Sequence, residues 1–303
     1  YDGYVFDENG NKIDFTGYRA DAINDFAIEY INNRTEDNET PFFMFVSQLE
    51  PHHQNDRKAF EGFKETIDNY KDYPIPEDLR FLKGDYKKEY PDYLSAINRI
   101  DYNLGKLIEA LKEKGLYDNT IIIYTSDHGC HFKTRNIEYK RSCHESSIHT
   151  PLVIGGGAFK RGIVDNRLVS LIDLPPTMLD FAGIYIPSFF SGISILEQEE
   201  KGTERENVFI QISESQVGRA IRTKKYKYSV RAFGNGFTKK DSKVYYEDYL
   251  YDLENDPYEK MNLANDKNFK EIRKNLSKQL SDEMEKAWEL KPKIKPTLIK
   301  RKK

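Results

Sequence analysis

The stretch IIIYTSDHGCHFKTRNIEYKRSCHESSIHTPLVI, residues 121 to 154, holds four of the chain's six histidines and both of its cysteines. Within it, Asp127 and His128 directly follow an apolar run that is typical of a buried strand. A carboxylate oxygen and an imidazole nitrogen are ligands for a divalent cation, and the nearby Lys133, Lys140 and Arg141 would attract an anion. A metal ion beside fixed cations predicts a site for an anionic ester, where catalysis depends on neutralising the charge that develops on the transferred group.

The other two histidines, His52 and His53, stand far upstream, just beyond a second apolar run in MFVSQLEPHH. In open α/β sheets, ligands bind beyond the carboxyl ends of the strands, so residues that follow two parallel strands can meet in one crevice. A single histidine would be interpreted as an ordinary loop residue. Because all six cluster near two strand ends, we predict one functional site.

The segments SDHG and YKRSCHESSIHTPLVI resemble the type I sulfatases of the alkaline phosphatase superfamily. The resemblance extends to GYRADAINDFAIEYI, PFFMFVSQLEPHH, RAIRTKKYKYSV and YLYDLENDPYEKMNLA, and so covers nearly all 303 residues. It implies a sulfuric ester hydrolase, most simply one that removes sulfate from a carbohydrate, with a sulfated small molecule or saccharide as its partner. It also implies a periplasmic or secreted location.

Carried over residue by residue, the resemblance assigns Asp127 and His128 as Ca²⁺ ligands. It assigns His52 as the histidine that contacts the sulfate ester and Lys140 as the sulfate-binding lysine. Because calcium prefers oxygen ligands, His128 is also expected to donate charge toward the ester.

Three further residues are candidates for contact with the substrate or leaving group, namely His53, Arg141 and His144. For each of them an ordinary loop or surface role is an equally good interpretation at this level. The remaining histidines, His131 and His149, are expected to be structural.

The sequence departs from the family pattern at the nucleophile. The family uses formylglycine, made from a Cys or Ser in a C/S-x-P/A-x-R motif, and neither Cys130 in CHFKT nor Cys143 in CHESS matches it. We therefore expect the C-terminal two-thirds of a sulfatase, inactive alone and partnered by the missing N-terminal segment. Two alternatives stay open: a phosphoester or phosphonate hydrolase of the same superfamily, and a non-catalytic protein that binds anions.

The elements that must position these residues alternate between helix and strand. Helical spacing and capping residues predict helices near 23–31, 97–111 and 173–183, with Gly115 and Gly183 as helix stops. Apolar runs predict strands at 41–48, 119–127 and 150–157, and a long loop at 69–93. This alternation predicts an α/β fold with a mostly parallel sheet sandwiched by helices, which the resemblance makes alkaline phosphatase-like.

Past residue 205 the pattern changes to alternating polar and apolar residues, which is typical of antiparallel strands. A helix over about 267–289 and a poorly ordered basic tail follow. We therefore predict a catalytic domain at 1–205 and a C-terminal subdomain at 206–303, with a small antiparallel sheet and a helix.

Composition excludes several classes of protein. A net charge of −3 over 303 residues argues against nucleic acid or a membrane surface as a partner. The apolar runs fall far short of the roughly 20 residues that span a bilayer, which predicts a soluble protein. Two cysteines without CxxC spacing do not indicate a disulfide scaffold or a zinc site.

Overall fold

The structure is a computed structural model that describes residues 1–35, 40–156, 159, 162–202 and 204–297. The chain forms two compact units. The first combines Tyr1–Pro76, Gly84–Ile123 and Val153–Arg161, and the second combines Glu77–Lys83, Tyr124–Leu152 and Gly162–Lys303. The division at residue 205, inferred from the hydrophobic pattern, stays a prediction.

The helices are α1 (Arg19–Asn32), α2 (Glu77–Arg80), α3 (Tyr86–Glu113), α4 (Glu145–Ile148), α5 (Leu174–Phe181), α6 (Ile195–Lys201) and α7 (Lys270–Lys286). The strands are β1 (Gly3–Phe6), β2 (Lys12–Phe15), β3 (Ile122–Thr125), β4 (Leu152–Gly155), β5 (Asn207–Ile212), β6 (Val217–Thr223), β7 (Tyr226–Ala232), β8 (Val244–Asp252) and β9 (Lys293–Lys295). Gly115 and Gly183, the predicted helix stops, have φ angles of 68° and 65°. Glycine enters this left-handed region without a Cβ clash, so both stops are confirmed.

In the first unit, α1 packs against α3 around a core that contains Ile31, Ala110 and Leu111. A polar clamp joins the same two helices, because Arg99 donates two hydrogen bonds of 2.7 Å to the carboxylate of Asp21. Such bidentate pairs fix geometry as well as adding stability.

The strand predicted at 41–48 is wrong, since these residues are not in a strand. Their side chains still alternate, because Phe42 and Met44 pack on the α1–α3 core whereas Phe43 and Phe45 are 73% and 80% exposed. Alternation is a property of extended chain, but a strand also needs a ladder of hydrogen bonds to a neighbour. No such ladder reaches this run within the described ranges.

Two other predictions need correction. The predicted loop at 69–93 is partly helical, because α3 begins at Tyr86, with Tyr86 and Tyr90 buried one turn apart. Charged residues and Pro91 conceal that pattern in the sequence. The basic tail is also partly ordered, since β9 pairs in parallel with β8 and Ile294 packs on the core. Residues 298–303 lie outside the described residues.

The second unit contains the predicted C-terminal sheet, with strand order β5-β6-β7-β8-β9. The first four strands pair antiparallel. Tyr228, Tyr245 and Leu250 of the sheet are fully buried in one core cluster with Leu276 and Leu280 of α7. The predicted helix near 267–289 is thus present as α7, and it packs on one face of the sheet.

In the described part of the chain, no helix combines the length and the hydropathy needed to cross a bilayer.

Candidate active site

Asp127 and His128 lie in the turn that follows β3, where the sequence predicts them. Asp127 Oδ1 accepts a hydrogen bond of 2.9 Å from the N–H of His128, and Asp127 Oδ2 lies 3.2 Å from His128 Nε2. His128 Nδ1 lies 2.9 Å from the carbonyl oxygen of Gly129. The Asp127 side chain is 82% exposed, so its carboxylate is accessible to a ligand.

The short helix α4 backs this turn. The N–H of Gly129 donates to the carbonyl oxygen of Ser147 at 2.8 Å. A Cβ at position 129 would lie 2.3 Å from the carbonyl oxygen of Ser146, a distance at which the backbone must move. Glycine therefore allows the chain to approach α4 directly after the Asp127–His128 pair.

The segment that carries Lys140 is held by the same helix. The N–H of Ser142 donates to the carbonyl oxygen of Lys140 at 2.9 Å, and Ser142 Oγ lies 2.8 Å from Ser147 Oγ. Lys140 itself is half-buried. Thus the two predicted calcium ligands and the predicted sulfate-binding lysine lie in segments that share α4 as their support.

Arg141 has two carboxylate partners within the protein. Its Nη1 donates to Glu138 Oε2 at 2.6 Å, and its Nη2 contacts Glu214. The carbonyl oxygen of Arg141 also accepts a hydrogen bond from Ser215 Oγ. A substrate anion would therefore compete with two internal anions for this guanidinium.

His144 lies in the interior, with 2% of its surface exposed. Its Nδ1 lies 3.2 Å from Ser142 Oγ and its Nε2 lies 3.1 Å from the hydroxyl of Tyr251. The edge of the ring packs against Tyr249 with centroids 4.9 Å apart. Both nitrogens are thus engaged by protein hydroxyls.

His52 and His53 belong to the first unit, whereas the other candidates belong to the second. His52 is half-buried, and its N–H donates to the carbonyl oxygen of Leu49 at 2.9 Å. His53 is more buried, since it packs edge-on against Phe60 and places Nδ1 3.3 Å from Asn55 Oδ1. His52 is the more accessible of the two imidazoles.

The fit to calcium can be judged from the donor set. Calcium takes six to eight oxygen ligands, and the exposed carboxylate of Asp127 suits it, whereas the imidazole of His128 is a second choice. Among the residues that the structure describes, no group of three or more His, Cys, Asp or Glu side chains is arranged to hold a metal ion. Asp127 and His128 therefore fit part of a coordination shell.

A buried charge cluster behind α4 is absent from the sequence-based predictions. Lys227 of β7 is fully buried, with Nζ 2.6 Å from Glu145 Oε1 and 2.5 Å from Glu259 Oε1. Burial by itself would raise the pKa of Glu145, but the hydrogen bond with His149 and the charges of Lys227 and Arg222 hold that pKa well below its usual value. A lysine in an alternating strand resembles a solvent-facing residue, so its sequence carries no signal of this role.

Comparison with known proteins gives two family matches. The model described as Sulfatase matches residues 3–184, and that described as N-sulphoglucosamine sulphohydrolase, C-terminal, matches residues 136–286. Arylsulfatase K from Bos taurus is 31% identical over 226 residues, which cover 71% of this chain and 40% of that protein. An arylsulfatase from Clostridium perfringens is 30% identical over 295 residues, covering 84% and 56%. The chain spans about half the length of these relatives.

Structural similarity extends over almost the whole chain. A solved structure from Bacteroides thetaiotaomicron, described in connection with the metabolism of multiple glycosaminoglycans, has a TM-score of 0.79 at 22% identity. The match covers 95% of this chain and 63% of that one. It confirms the predicted α/β class with an alkaline phosphatase-like architecture. Since the first family model also spans more than half of the 303 residues, the chain belongs to the sulfatase family.

Proposed function

We propose that this chain forms part of a sulfuric ester hydrolase that removes sulfate from a sulfated carbohydrate. The observation that carries the proposal is the shared support of Asp127, His128 and Lys140 by α4, in a chain of the sulfatase family. An accessible carboxylate and a lysine, in segments held by one helix, are the groups that bind a metal ion and a sulfate.

Each residue has a separate role in this proposal. Lys140 binds a sulfate oxygen and offsets the charge that grows on it, and His52 donates a hydrogen bond to the ester oxygen. Asp127 and His128 hold calcium, which when bound supplies positive charge next to the sulfate. His144 and Arg141, which have internal partners, hold the surrounding loop in place, and His53 packs edge-on against Phe60.

The attacking group is formylglycine, and its motif lies outside these 303 residues. No Cys or Ser in the sequence stands in a C/S-x-P/A-x-R pattern. The proposal therefore includes a further polypeptide segment as the partner that completes the site. It also includes the periplasmic or secreted location that the family resemblance implies.

The carbohydrate as substrate has two lines of support. The similar protein from Bacteroides thetaiotaomicron is connected with glycosaminoglycan metabolism. In addition, the Tyr-rich segment near residue 70 presents Tyr70 and Tyr73, whose rings meet edge-on with centroids 5.8 Å apart, and Tyr73 is 52% exposed. Exposed aromatic faces of this kind stack on sugar rings.

A hydrolase for phosphoesters or phosphonates and a non-catalytic anion-binding protein are not favoured, because both family matches and the two relatives described above are sulfatases.

The test uses a form of the protein that includes the formylglycine motif, assayed on sulfated saccharides and on 4-nitrophenyl sulfate with CaCl₂ present. Lys140→Ala is expected to lower kcat/KM about 100- to 1000-fold, because it removes one fixed charge from the transition state. Asp127→Ala is expected to abolish the calorimetric signal of Ca²⁺ binding. Lys225→Ala is the matched control, since that lysine is exposed and pairs with Glu254 at 2.6 Å.

Each result addresses one assignment. Unchanged turnover in Lys140→Ala would refute the sulfate-binding role, and unchanged calcium affinity in Asp127→Ala would refute the metal-ligand role. Activity confined to the aryl ester would refute the proposal that the substrate is a carbohydrate.

A further inference from the structure

A buried cluster of charges, the Lys227 cluster, lies behind α4 and consists of Lys227, Glu145 and Glu259 together with Arg135 and Arg222. Lys227 has no exposed surface and Glu259 is 2% exposed. Glu145 and Glu259 both contact the Lys227 ammonium. Glu259 Oε2 also accepts a hydrogen bond of 2.9 Å from the N–H of Glu145, which joins the cluster to the backbone of α4. Arg135 Nη1 in turn donates to the carbonyl oxygen of Glu259 at 3.0 Å.

The cluster is rigid for an electrostatic reason. An ammonium and a carboxylate buried away from water must keep their partners, since an unpaired charge in the interior is strongly unfavourable. Glu145 also lies 3.5 Å from Arg222 Nε, so the first residue of α4 is fixed to strands β6 and β7 through its side chain. The start of the helix is thus held by its side chain and by its backbone at once.

This restraint reaches the candidate site within one turn of helix. Ser147, two residues beyond Glu145, accepts the hydrogen bond from the N–H of Gly129 and pairs with Ser142. Gly129 directly follows His128, and Ser142 is bound to the carbonyl oxygen of Lys140. A shift of α4 would therefore move both segments of the site.

We propose that Lys227, acting through Glu145 and Glu259, is a positioning residue that sets α4 at the place where the Asp127–His128 turn and the Lys140 segment have their catalytic spacing. This inference rests on the proposed sulfatase function, because it takes those segments as the site. In the described structure Lys227 pairs with Glu145 and Glu259, so the proposed effect on these segments passes through the helix.

The experiment compares Lys227→Met, Glu145→Gln and the matched control Lys225→Met in the form of the protein that carries the formylglycine motif. Lys225 is an exposed lysine beside the same strand, paired with exposed Glu254 at 2.6 Å. Two quantities are measured at a temperature where each variant keeps its native circular dichroism spectrum. One is hydrogen exchange at the amides of Gly129 and Ser142, and the other is kcat and KM for 4-nitrophenyl sulfate.

Lys227→Met is expected to lower kcat about 10- to 100-fold, as loss of a residue that orients catalytic groups typically does. KM is expected to change less than kcat, because a binding contact is displaced but not removed. Both amides are expected to exchange faster, whereas Lys225→Met behaves as wild type. Glu145→Gln keeps the shape of the side chain and removes only its charge. If Lys227→Met does not fold, Glu145→Gln tests the same proposal, and its expected effects on kcat and on amide exchange are smaller.

The outcomes separate this proposal from the function on which it rests. If the wild-type protein turns over the ester and the folded variants keep both its kcat and its amide protection, the positioning role is overturned while the function stands. Faster exchange with unchanged kcat would also overturn it, since α4 would then move without consequence for catalysis. A wild-type protein without turnover would overturn the proposed function and the positioning role together.

Discussion

The histidines of the second unit differ in burial, and burial decides how each responds to acid. His131 has no exposed surface, and neither of its ring nitrogens has a hydrogen-bond partner in the described structure. This burial lowers the pKa of His131 to about 4. His149 is largely exposed, and its hydrogen bond with Glu145 raises its pKa.

His131 is therefore expected to make the protein sensitive to acid. Its pKa is about 4 in the folded chain and about 6.5 in the unfolded chain, so the unfolded state takes up a proton first as the pH falls. Stability is then lost between pH 6.5 and 4, by about 2 kcal/mol at pH 5. In urea unfolding, the free energy of unfolding of His131→Phe is expected to fall by about 2 kcal/mol less than that of wild type between pH 7.5 and 5.

His149→Gln provides a control of opposite sign. A pKa that is raised in the folded state contributes stability at low pH, which is lost as the pH rises through the folded value. The free energy of unfolding of His149→Gln should therefore fall more steeply with decreasing pH than that of wild type. If the free energy of unfolding falls equally with decreasing pH in wild type and in His131→Phe, His131 is protonated without cost in the folded protein and the prediction is wrong.

At the scale of elements, the contact between Gly129 and α4 leaves no room for a methyl group. Gly129→Ala is expected to lower the free energy of unfolding by about 1–3 kcal/mol, because its Cβ would displace the turn from the carbonyl oxygen of Ser146. Gly105→Ala is the matched control, since Gly105 is exposed within α3 and has open space at its Cβ. There alanine should add about 0.5–1 kcal/mol through its higher helix propensity. Thermal or urea unfolding measures both, and equal effects would refute the steric argument.

Elements with a strong local pattern could be predicted from the sequence. Helix α1 and the second half of α3 follow from apolar spacing, and α5 follows from prolines in its first turn. The stops at Gly115 and Gly183 follow from backbone freedom. The β1–β2 hairpin is absent from the predictions, although Asn9-Gly10 is a turn signal and Gly10 has a φ of 80°. The run at 41–48 could not be decided locally, because a strand depends on a neighbour as well as on its own residues.

At the scale of the whole molecule, the candidate residues could be found from short sequence motifs, but the contacts that hold them in place could not. Asp127, His128 and Lys140 stand in family motifs within one stretch of chain. The contacts of Lys227 with Glu145 and Glu259 join positions that are distant in sequence, and only the folded chain shows them. Burial of charge is a property of the tertiary structure, so local pattern carries no trace of it.

The 303 residues alone are expected to hydrolyse no sulfate ester. Stabilising a transition state presupposes an attacking group, and neither cysteine stands in the formylglycine motif. Burial raises the pKa of the Cys143 thiol to about 12, so this thiol is not a nucleophile at neutral pH. The exposed side chains of Phe43, Phe45 and Val153 should also make the isolated chain prone to aggregate.

The measurement is release of 4-nitrophenol from 4-nitrophenyl sulfate, with light scattering recorded on the same samples. A longer form that carries the motif serves as the positive control and should be active and more soluble. Hydrolysis by the purified 303-residue chain, at a rate that Lys140→Ala lowers, would place the nucleophile inside this sequence and contradict the prediction.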